Sequence, residues 1–133
     1  MKKLIFIFVL TLGIISCNSD DKAQDEALID ISDLIGKWNW ISTCGGITGA
    51  CGYPSEDNYH SIEFRDDSTY IKISNGTLIE ESSYSITETS VVDSYKFYKI
   101  DFEDGNSTAC WVQDDNLSMG GGELWSYYEK IIE

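Results

Sequence analysis

The chain has few of the residues from which metal sites and hydrolytic active sites are built. Among its 133 residues there is one histidine, His60, and one proline, Pro54. A structural zinc site needs several His or Cys ligands at short spacing, and the sequence has neither a CxxC pair nor a second histidine. A Gly-x-Ser-x-Gly elbow, an HExxH motif and a phosphate loop are also missing, and His60 reads as a surface residue at the start of a strand. We therefore predict no metal, no cofactor and no enzyme activity.

Basic residues are also scarce. The chain has 9 Lys and Arg against 23 Asp and Glu, a formal net charge of −14. Such a surface lacks the Lys/Arg stripe that nucleic-acid binding requires, and it is repelled by anionic lipid headgroups. The acidic pairs do not match a calcium loop, which has a central Gly and a terminal Glu, and acidic residues are ordinary turn formers. These pairs are Asp66-Asp67, Glu103-Asp104 and Asp114-Asp115.

Long runs of helix-forming residues are absent, whereas aromatic residues are abundant, with four Trp, eight Tyr and five Phe. Aromatic and β-branched residues favour strands, so we predict an all-β domain. Alternating segments separated by turn signals, of which Asn75-Gly76 is the strongest, give about eight short strands. We expect an eight-stranded antiparallel up-and-down barrel, because closing the sheet removes its exposed edges, and a β-sandwich is the alternative.

The alternation also predicts which side chains share a face. Residues 29–35 have the spacing of one helical turn with Ser32 as its cap, and from residue 36 the period changes to two. Trp38, Trp40, Ser42 and Cys44 are then expected on one face of the first strand. Residues 45–58 are rich in glycine and are predicted to form a long loop, which in a small domain is usually functional or mobile.

The first residues have the pattern of an export signal. Met1-Lys2-Lys3 precedes an apolar run from Leu4 to Ile15, which is too short to span a bilayer, since a span takes about 20 residues. Ile14-Ile15-Ser16-Cys17 resembles the lipobox of bacterial lipoproteins. The resemblance implies that residues 1–16 are removed and that Cys17 receives a lipid anchor.

Residues 17–28 are predicted to form a lipidated, acidic tether, and residues 29–133 the barrel domain. Removal of residues 1–16 would leave 7 basic and 23 acidic residues, a formal charge of −16. The segment Cys17-Asn18-Ser19-Asp20-Asp21 is similar to surface-export signals of lipoproteins from the Bacteroidota. That similarity implies an outer-membrane protein on the cell surface, in preference to the periplasmic face.

The domain itself resembles a known family. Leu34-Ile35-Gly36-Lys37-Trp38 is similar to the Gly-x-Trp motif of lipocalin-like barrels, in which the Trp closes one end behind a short helical turn. Four further segments resemble small lipocalin-like lipoproteins of the Bacteroidota: Trp38-Asn39-Trp40, Gly45-Gly46-Ile47, Ile62-Glu63-Phe64 with Thr69-Tyr70, and Asn75-Gly76-Thr77-Leu78. The resemblance covers residues 34 to about 130 and implies a barrel with a cup. It does not imply a particular ligand.

Besides Cys17 there are three cysteines, so at least one thiol is left over in an exported protein where oxidation is possible. Cys44 and Cys51 are separated by the flexible segment GGITGA and are the predicted disulfide. A bridge from Cys110 to either of them, or three reduced thiols, are the alternatives. If Cys44 pairs with Cys51, the bridge staples the mouth loop and Cys110 becomes a small buried side chain.

Two functions follow from the sequence. The first is binding of a small apolar or amphipathic ligand inside the barrel, since a barrel of this size can either hold one small ligand or be filled by side chains. The candidate ligand-binding residues are Trp40, Tyr70, Tyr98, Trp111 and Trp125, with plain core packing as the other interpretation of each. The second is a surface interaction protein that recognises a glycan or another protein through residues 45–58 and exposed aromatic residues.

Overall fold

The computed structural model describes residues 29–133, so the predicted signal peptide, the predicted lipidation site Cys17 and the predicted tether lie outside the described residues. Within residues 29–133 no helix is long and apolar enough to cross a bilayer. The strands are β1 (Gly36–Gly45), β2 (Ala50–Gly52), β3 (His60–Phe64), β4 (Thr69–Ser74), β5 (Thr77–Val92), β6 (Tyr95–Phe102), β7 (Ser107–Gln113), β8 (Asn116–Gly121) and β9 (Leu124–Lys130).

The strands form one antiparallel sheet that closes on itself. Strands β3 to β9 pair in chain order, β1 joins β3, and β1 also pairs with β9. Eight strands therefore close the barrel, and β2 is an additional short strand that pairs only with the end of β1. The predicted all-β fold and eight-stranded up-and-down barrel are confirmed, and the alternative of a sandwich is wrong because the first and last strands of the barrel are hydrogen-bonded to each other.

Side chains fill the interior. Apart from β2 and the bulges, every second residue of the barrel strands points inward, as the period of a strand requires. Nine side chains, eight from these strands and Leu34 from the turn before β1, are the most deeply buried. They are Trp38, Tyr98, Phe64, Leu34, Ile62, Ile100, Leu117, Val112 and Cys110, each less than 2% exposed. Burying a large apolar side chain stabilises the fold by about 1.5–3 kcal/mol, so this cluster is the main source of stability.

One end of the barrel is plugged by the turn that precedes β1. The backbone N–H of Leu34 donates to the carbonyl of Ile31 at 2.9 Å, which makes one turn in the predicted place. The side chain that caps it is Asp30, whose carboxylate accepts from the N–H of Ser32 at 3.0 Å. The prediction that Ser32 provides the cap is therefore wrong, because the acidic residue two positions earlier reaches the same free amide.

Three side chains from the barrel hold this plug in place. The indole Nε1 of Trp38 donates to the Leu34 carbonyl at 3.0 Å, and the Tyr98 hydroxyl donates to the Asp30 carbonyl at 3.0 Å. The ammonium of Lys130 lies 5.2 Å from the centre of the Trp38 ring, a cation–π arrangement. The buried donors are thus satisfied by the carbonyl groups of the turn itself.

A β-bulge in β1 changes the predicted face of its second half. The pairing with β9 shifts between Trp40 and Ser42, so Ile41 is an extra residue. Thr43 then joins Trp40 on the inner side, where its Oγ1 accepts from the Trp40 indole at 2.9 Å. The prediction that Ser42 and Cys44 share the face of Trp40 is wrong, because one inserted residue reverses the alternation.

Candidate functional site

The two ends of the barrel differ. At the closed end, the turn of residues 31–35 covers Trp38. The connections β1–β2, β4–β5, β6–β7 and β8–β9 gather at the opposite end, which we call the mouth. Strand β1 runs from the closed end to the mouth, so the described chain begins at the end that lies farthest from the mouth.

A short stapled hairpin projects at the mouth. Cys44 and Cys51 face each other across β1 and β2 and form a disulfide with their Cα atoms 4.1 Å apart. This confirms the predicted pair, and we call residues 44–51 the mouth hairpin. The prediction that residues 45–58 form a long loop is only partly right, since this segment contains β2, which pairs with β1. All three residues of β2 are exposed. At the tip, Ile47 is 100% exposed.

The base of the mouth hairpin is held against the start of β9. The N–H of Gly46 donates to the carbonyl of Glu123 at 3.0 Å. Gly45 has φ +138°, and a Cβ atom there would lie 1.8 Å from the same carbonyl oxygen. Only glycine permits this close backbone approach. The disulfide and this contact together fix the direction in which Ile47 points.

Replacing Gly45 with alanine is expected to lower the free energy of unfolding by about 1–3 kcal/mol, because the added methyl group forces β1 and β9 apart and the backbone angle is unfavourable. Gly46→Ala is the matched control. It also has a positive φ, +74°, but no atom lies within 4 Å of its Cβ position. Urea unfolding of both variants measures the difference, and equal midpoints would show that the contact with Glu123 does not stabilise the protein.

Aromatic and hydroxyl side chains fill the interior just below the mouth. The rings of Trp40 and His60 are stacked with centroids 4.5 Å apart, and His60 meets Tyr128 edge-on at 5.9 Å. Beside them the hydroxyls of Thr43 and Ser126 share a hydrogen bond of 2.7 Å. His60 begins a strand as predicted, but it is not a plain surface residue, because its ring is partly buried between two nearly buried aromatic residues.

Burial sets the ionisation of these groups. It lowers the pKa of His60, and the charge of Lys72 lowers the same pKa further. Burial raises the pKa of Tyr128 to about 12 and that of Tyr70 further still. The thiol of Cys110, which is free and buried, also has its pKa raised by burial. At neutral pH these groups are uncharged, as expected for side chains that pack a core.

Three of the five predicted ligand-binding residues lie inside the barrel. Tyr98, Tyr70 and Trp40 are 0%, 4% and 7% exposed and belong to the core. Tyr70 packs between Phe64 and Phe102, with ring centroids at 5.2 and 4.9 Å. Their surfaces are covered by protein atoms, so they correspond to the core-packing interpretation.

The other two candidates lie on the outside. Cys110 and Val112 are buried, so Trp111 between them points outward, where its ring packs on Phe97 at 4.8 Å. Trp125 pairs with Cys44 of the mouth hairpin and precedes the inward-facing Ser126. The prediction that Trp111 and Trp125 line the interior is therefore wrong. For Trp111, the alternation that places it outside is already present in the sequence of β7.

The outward-facing aromatic residues surround a floor of small side chains. Trp111 is opposite Ser118, which is opposite Tyr127, and in the next row Ala109, Gly120 and Trp125 are neighbours. We call Phe97, Trp111, Trp125 and Tyr127 the outer aromatic face. Strands β7 and β9 are two spacings apart, about 10 Å, so the face is a shallow platform with aromatic sides.

The larger depressions of the described part of the chain lie on its surface. One, of about 570 Å³, is at the closed end and is lined by Ile29, Asp30, Ile31, Ser32, Ile35 and Asp66. Two polar notches of about 380 and 410 Å³ adjoin Ser83 and Glu103. Among residues 29–133 no cluster of three or more His, Cys, Asp or Glu side chains has the arrangement of a metal site.

Comparison with protein-family models, with characterised proteins and with solved structures gives no match for this chain.

Proposed function

We propose that this protein is a lipid-anchored recognition protein of the outer membrane that binds a partner protein through its mouth hairpin. The observation that carries the proposal is Ile47, whose side chain is wholly exposed at the tip of a hairpin fixed by the Cys44–Cys51 disulfide and by the contact of Gly46 with Glu123. An apolar residue on a backbone that is already constrained needs less ordering on binding than one on an unconstrained loop, which favours an interface anchor.

Ile47 does not stand alone at the mouth. Tyr53 and Leu124 are 65% and 57% exposed, and Leu124 pairs with Gly45 at the base of the hairpin. The mouth hairpin thus has exposed apolar side chains at its tip and at its base, which suit the centre of an interface. Interfaces commonly have such a centre, depleted of charge and surrounded by polar residues.

The filled interior supports surface recognition over binding inside the barrel. Trp38, Tyr98 and Phe64 occupy the lower interior with no exposed area, and Trp40 with Tyr128 fills the level below the mouth. A ligand of the size that lipocalin-like cups hold would have to displace several of these side chains. Opening a packed core by one large side chain costs about 3–5 kcal/mol, which small-ligand contacts must first offset.

The positions of the two ends fit a lipid anchor at Cys17. An anchor upstream of residue 29 would join the barrel at its closed end, and the mouth hairpin would point away from the membrane. An acidic tether would then keep the acidic barrel off the headgroups. At the cell surface, which the similarity of residues 17–21 to surface-export signals favours, a projecting hairpin would meet other molecules.

A glycan is the second candidate partner, and it would bind elsewhere. The outer aromatic face presents Trp111 and Tyr127 on either side of Ser118, and flat aromatic rings suit the faces of sugar rings. Trp111→Ala should then abolish quenching of tryptophan fluorescence by a bound saccharide, whereas Ile47→Asp should leave it unchanged. Binding that survives Trp111→Ala would exclude this face.

Photo-crosslinking in the producing cells tests the main proposal. A photoreactive phenylalanine analogue at position 47 is expected to give a discrete protein adduct on irradiation, and Cys51→Ser should reduce that adduct at least tenfold because the hairpin loses its staple. The matched control is the same analogue at position 132, where Ile132 is 80% exposed just after β9 ends at the opposite end of the barrel. No adduct from position 47, or the same adduct from both positions, would contradict recognition at the mouth.

A further inference from the structure

Strand β5 is much longer than its neighbours and changes partner along its length. Its residues 77–83 pair with β4, and residues 84–92 pair with β6. The last backbone hydrogen bond on the β4 side is from the N–H of Tyr84 to the carbonyl of Ser68, at 2.9 Å. Among the described residues, nothing pairs with the other edge of residues 85–92, all of which are at least partly exposed. The barrel therefore retains one open strand edge.

The hydrogen-bonding groups along this edge follow from the ladder. In an antiparallel pair, successive residues point their N–H groups alternately toward the partner and away from it. Val92 and Tyr95 close a two-residue hairpin, so Val91 and Thr89 point their N–H groups away from β6. An exposed row of unpaired donors and acceptors is a template for another strand.

Charge distinguishes this edge from the other unpaired stretch of the same strand. Residues 85–92 contain one acidic residue, Glu88, whose carboxylate lies 3.4 Å from the ammonium of Lys99. Residues 77–82, which lack a partner on their β6 side, contain both Glu80 and Glu81. In a chain with a net charge of −14, two copies repel each other over most of their surface. Residues 85–92 are where that repulsion is smallest.

We propose that residues 85–92 pair with the same residues of a second copy of this chain, giving a two-fold symmetric dimer with one sheet continuous through both barrels. An edge that pairs antiparallel with itself makes an isologous, closed contact. With the two-fold axis at Thr89, the outward N–H groups of the two copies face each other, and the pairing gives about six hydrogen bonds. Glu88 then lies opposite Ser90 of the second copy and not opposite another acid, and Val91, which is 66% exposed, is partly covered.

The dimer leaves the mouth free. Lys96, next to the β5–β6 turn, forms ion pairs with Asp30 and Asp33 at the closed end, so the overhanging part of β5 lies far from the mouth hairpin. The two-fold axis reverses the direction of the strands, so the two mouth hairpins lie at opposite ends of the dimer and both remain exposed. The dimer itself does not depend on what the mouth binds.

The test is the molar mass of the full-length protein in detergent, by light scattering corrected for bound detergent. We expect a dimer for the natural sequence and a monomer for Thr89→Pro, since proline removes an outward N–H and is tolerated on a free edge. Val91→Lys, which retains the N–H but places a charge on the edge, should weaken the dimer at least tenfold. Leu78→Lys, on the other unpaired stretch, is the control that should remain dimeric.

Cysteine cross-linking in native membranes supplies a second measurement that does not require a purified dimer. Single replacements at positions 87, 88 and 89 should give a disulfide-linked dimer with at least one of them, and Leu78→Cys should not. Circular dichroism verifies that each variant melts as a folded barrel. A monomeric natural sequence, a dimer that persists in both edge variants, or equal cross-linking from position 78 would overturn the proposal.

Discussion

Replacing Trp38 with alanine is expected to lower the free energy of unfolding by about 3–5 kcal/mol, the usual cost of truncating a fully buried aromatic residue. The ring has no exposed area and closes the barrel beneath the turn of residues 31–35. The substitution leaves a cavity, and it also removes the indole that donates to the carbonyl of Leu34 and lies under Lys130. Most single domains have a free energy of unfolding of only about 5–15 kcal/mol, so the variant should be marginally stable.

Urea unfolding monitored by far-ultraviolet circular dichroism measures this change in the free energy of unfolding, with a signal that does not rely on tryptophan fluorescence. Trp38→Phe is the intermediate case, since it retains most of the volume but loses the hydrogen bond and one ring of the indole, and it should cost about 1–3 kcal/mol. Tyr53→Ala is the control, because that side chain is 65% exposed and should change stability by no more than about 0.5 kcal/mol. A Trp38→Ala protein with an unchanged midpoint would show that the plug is not part of the cooperative fold.

The second large effect is expected at Cys17. If its thiol carries the lipid, Cys17→Ser should move nearly all of the protein from the membrane fraction to the soluble fraction, because no basic surface is available to hold it there. Metabolic labelling with a radioactive or clickable fatty acid should disappear from the variant. Both readouts follow from the lipobox resemblance of Ile14-Ile15-Ser16-Cys17.

Cys110→Ser is the matched control for this experiment. It removes the one free cysteine of the described chain and leaves the disulfide unchanged. This variant should remain in the membrane fraction and keep its fatty-acid label, although burial of a hydroxyl in place of a thiol will cost stability. Membrane retention of Cys17→Ser, or loss of the label from Cys110→Ser, would contradict lipidation at Cys17.

Much of the fold could be predicted from the sequence because inward-facing apolar residues alternate with outward-facing polar residues along a strand. The face of β6 that carries Tyr98, Ile100 and Phe102 is inward as expected. Asn75-Gly76 forms the expected turn, with positive φ at both residues. The prediction for the second half of β1 failed because of a single inserted residue. The bulge at Ile41 reverses the second half of β1, and no local composition marks it.

The functional residues were harder to predict, since exposure is a property of the closed barrel and not of any one segment. Trp111 was expected inside because it is large and aromatic, yet its small neighbours Cys110 and Val112 point inward. Applying the alternation strictly to β7 would have placed it outside. The stack of His60 on Trp40 joins residues that are distant in the chain, so no spacing in the sequence indicates it.

The central claim is that the barrel is a filled scaffold whose recognition surfaces lie on its exterior. Native mass spectrometry of the full-length protein, purified in mild detergent from the cells that make it, tests this most directly. The claim predicts masses equal to one or two copies of the lipidated chain with no further small molecule retained. A stoichiometric apolar or amphipathic ligand that is released only when the barrel unfolds would contradict it, and would show that Trp40, Tyr70 and Tyr98 part to line a cavity.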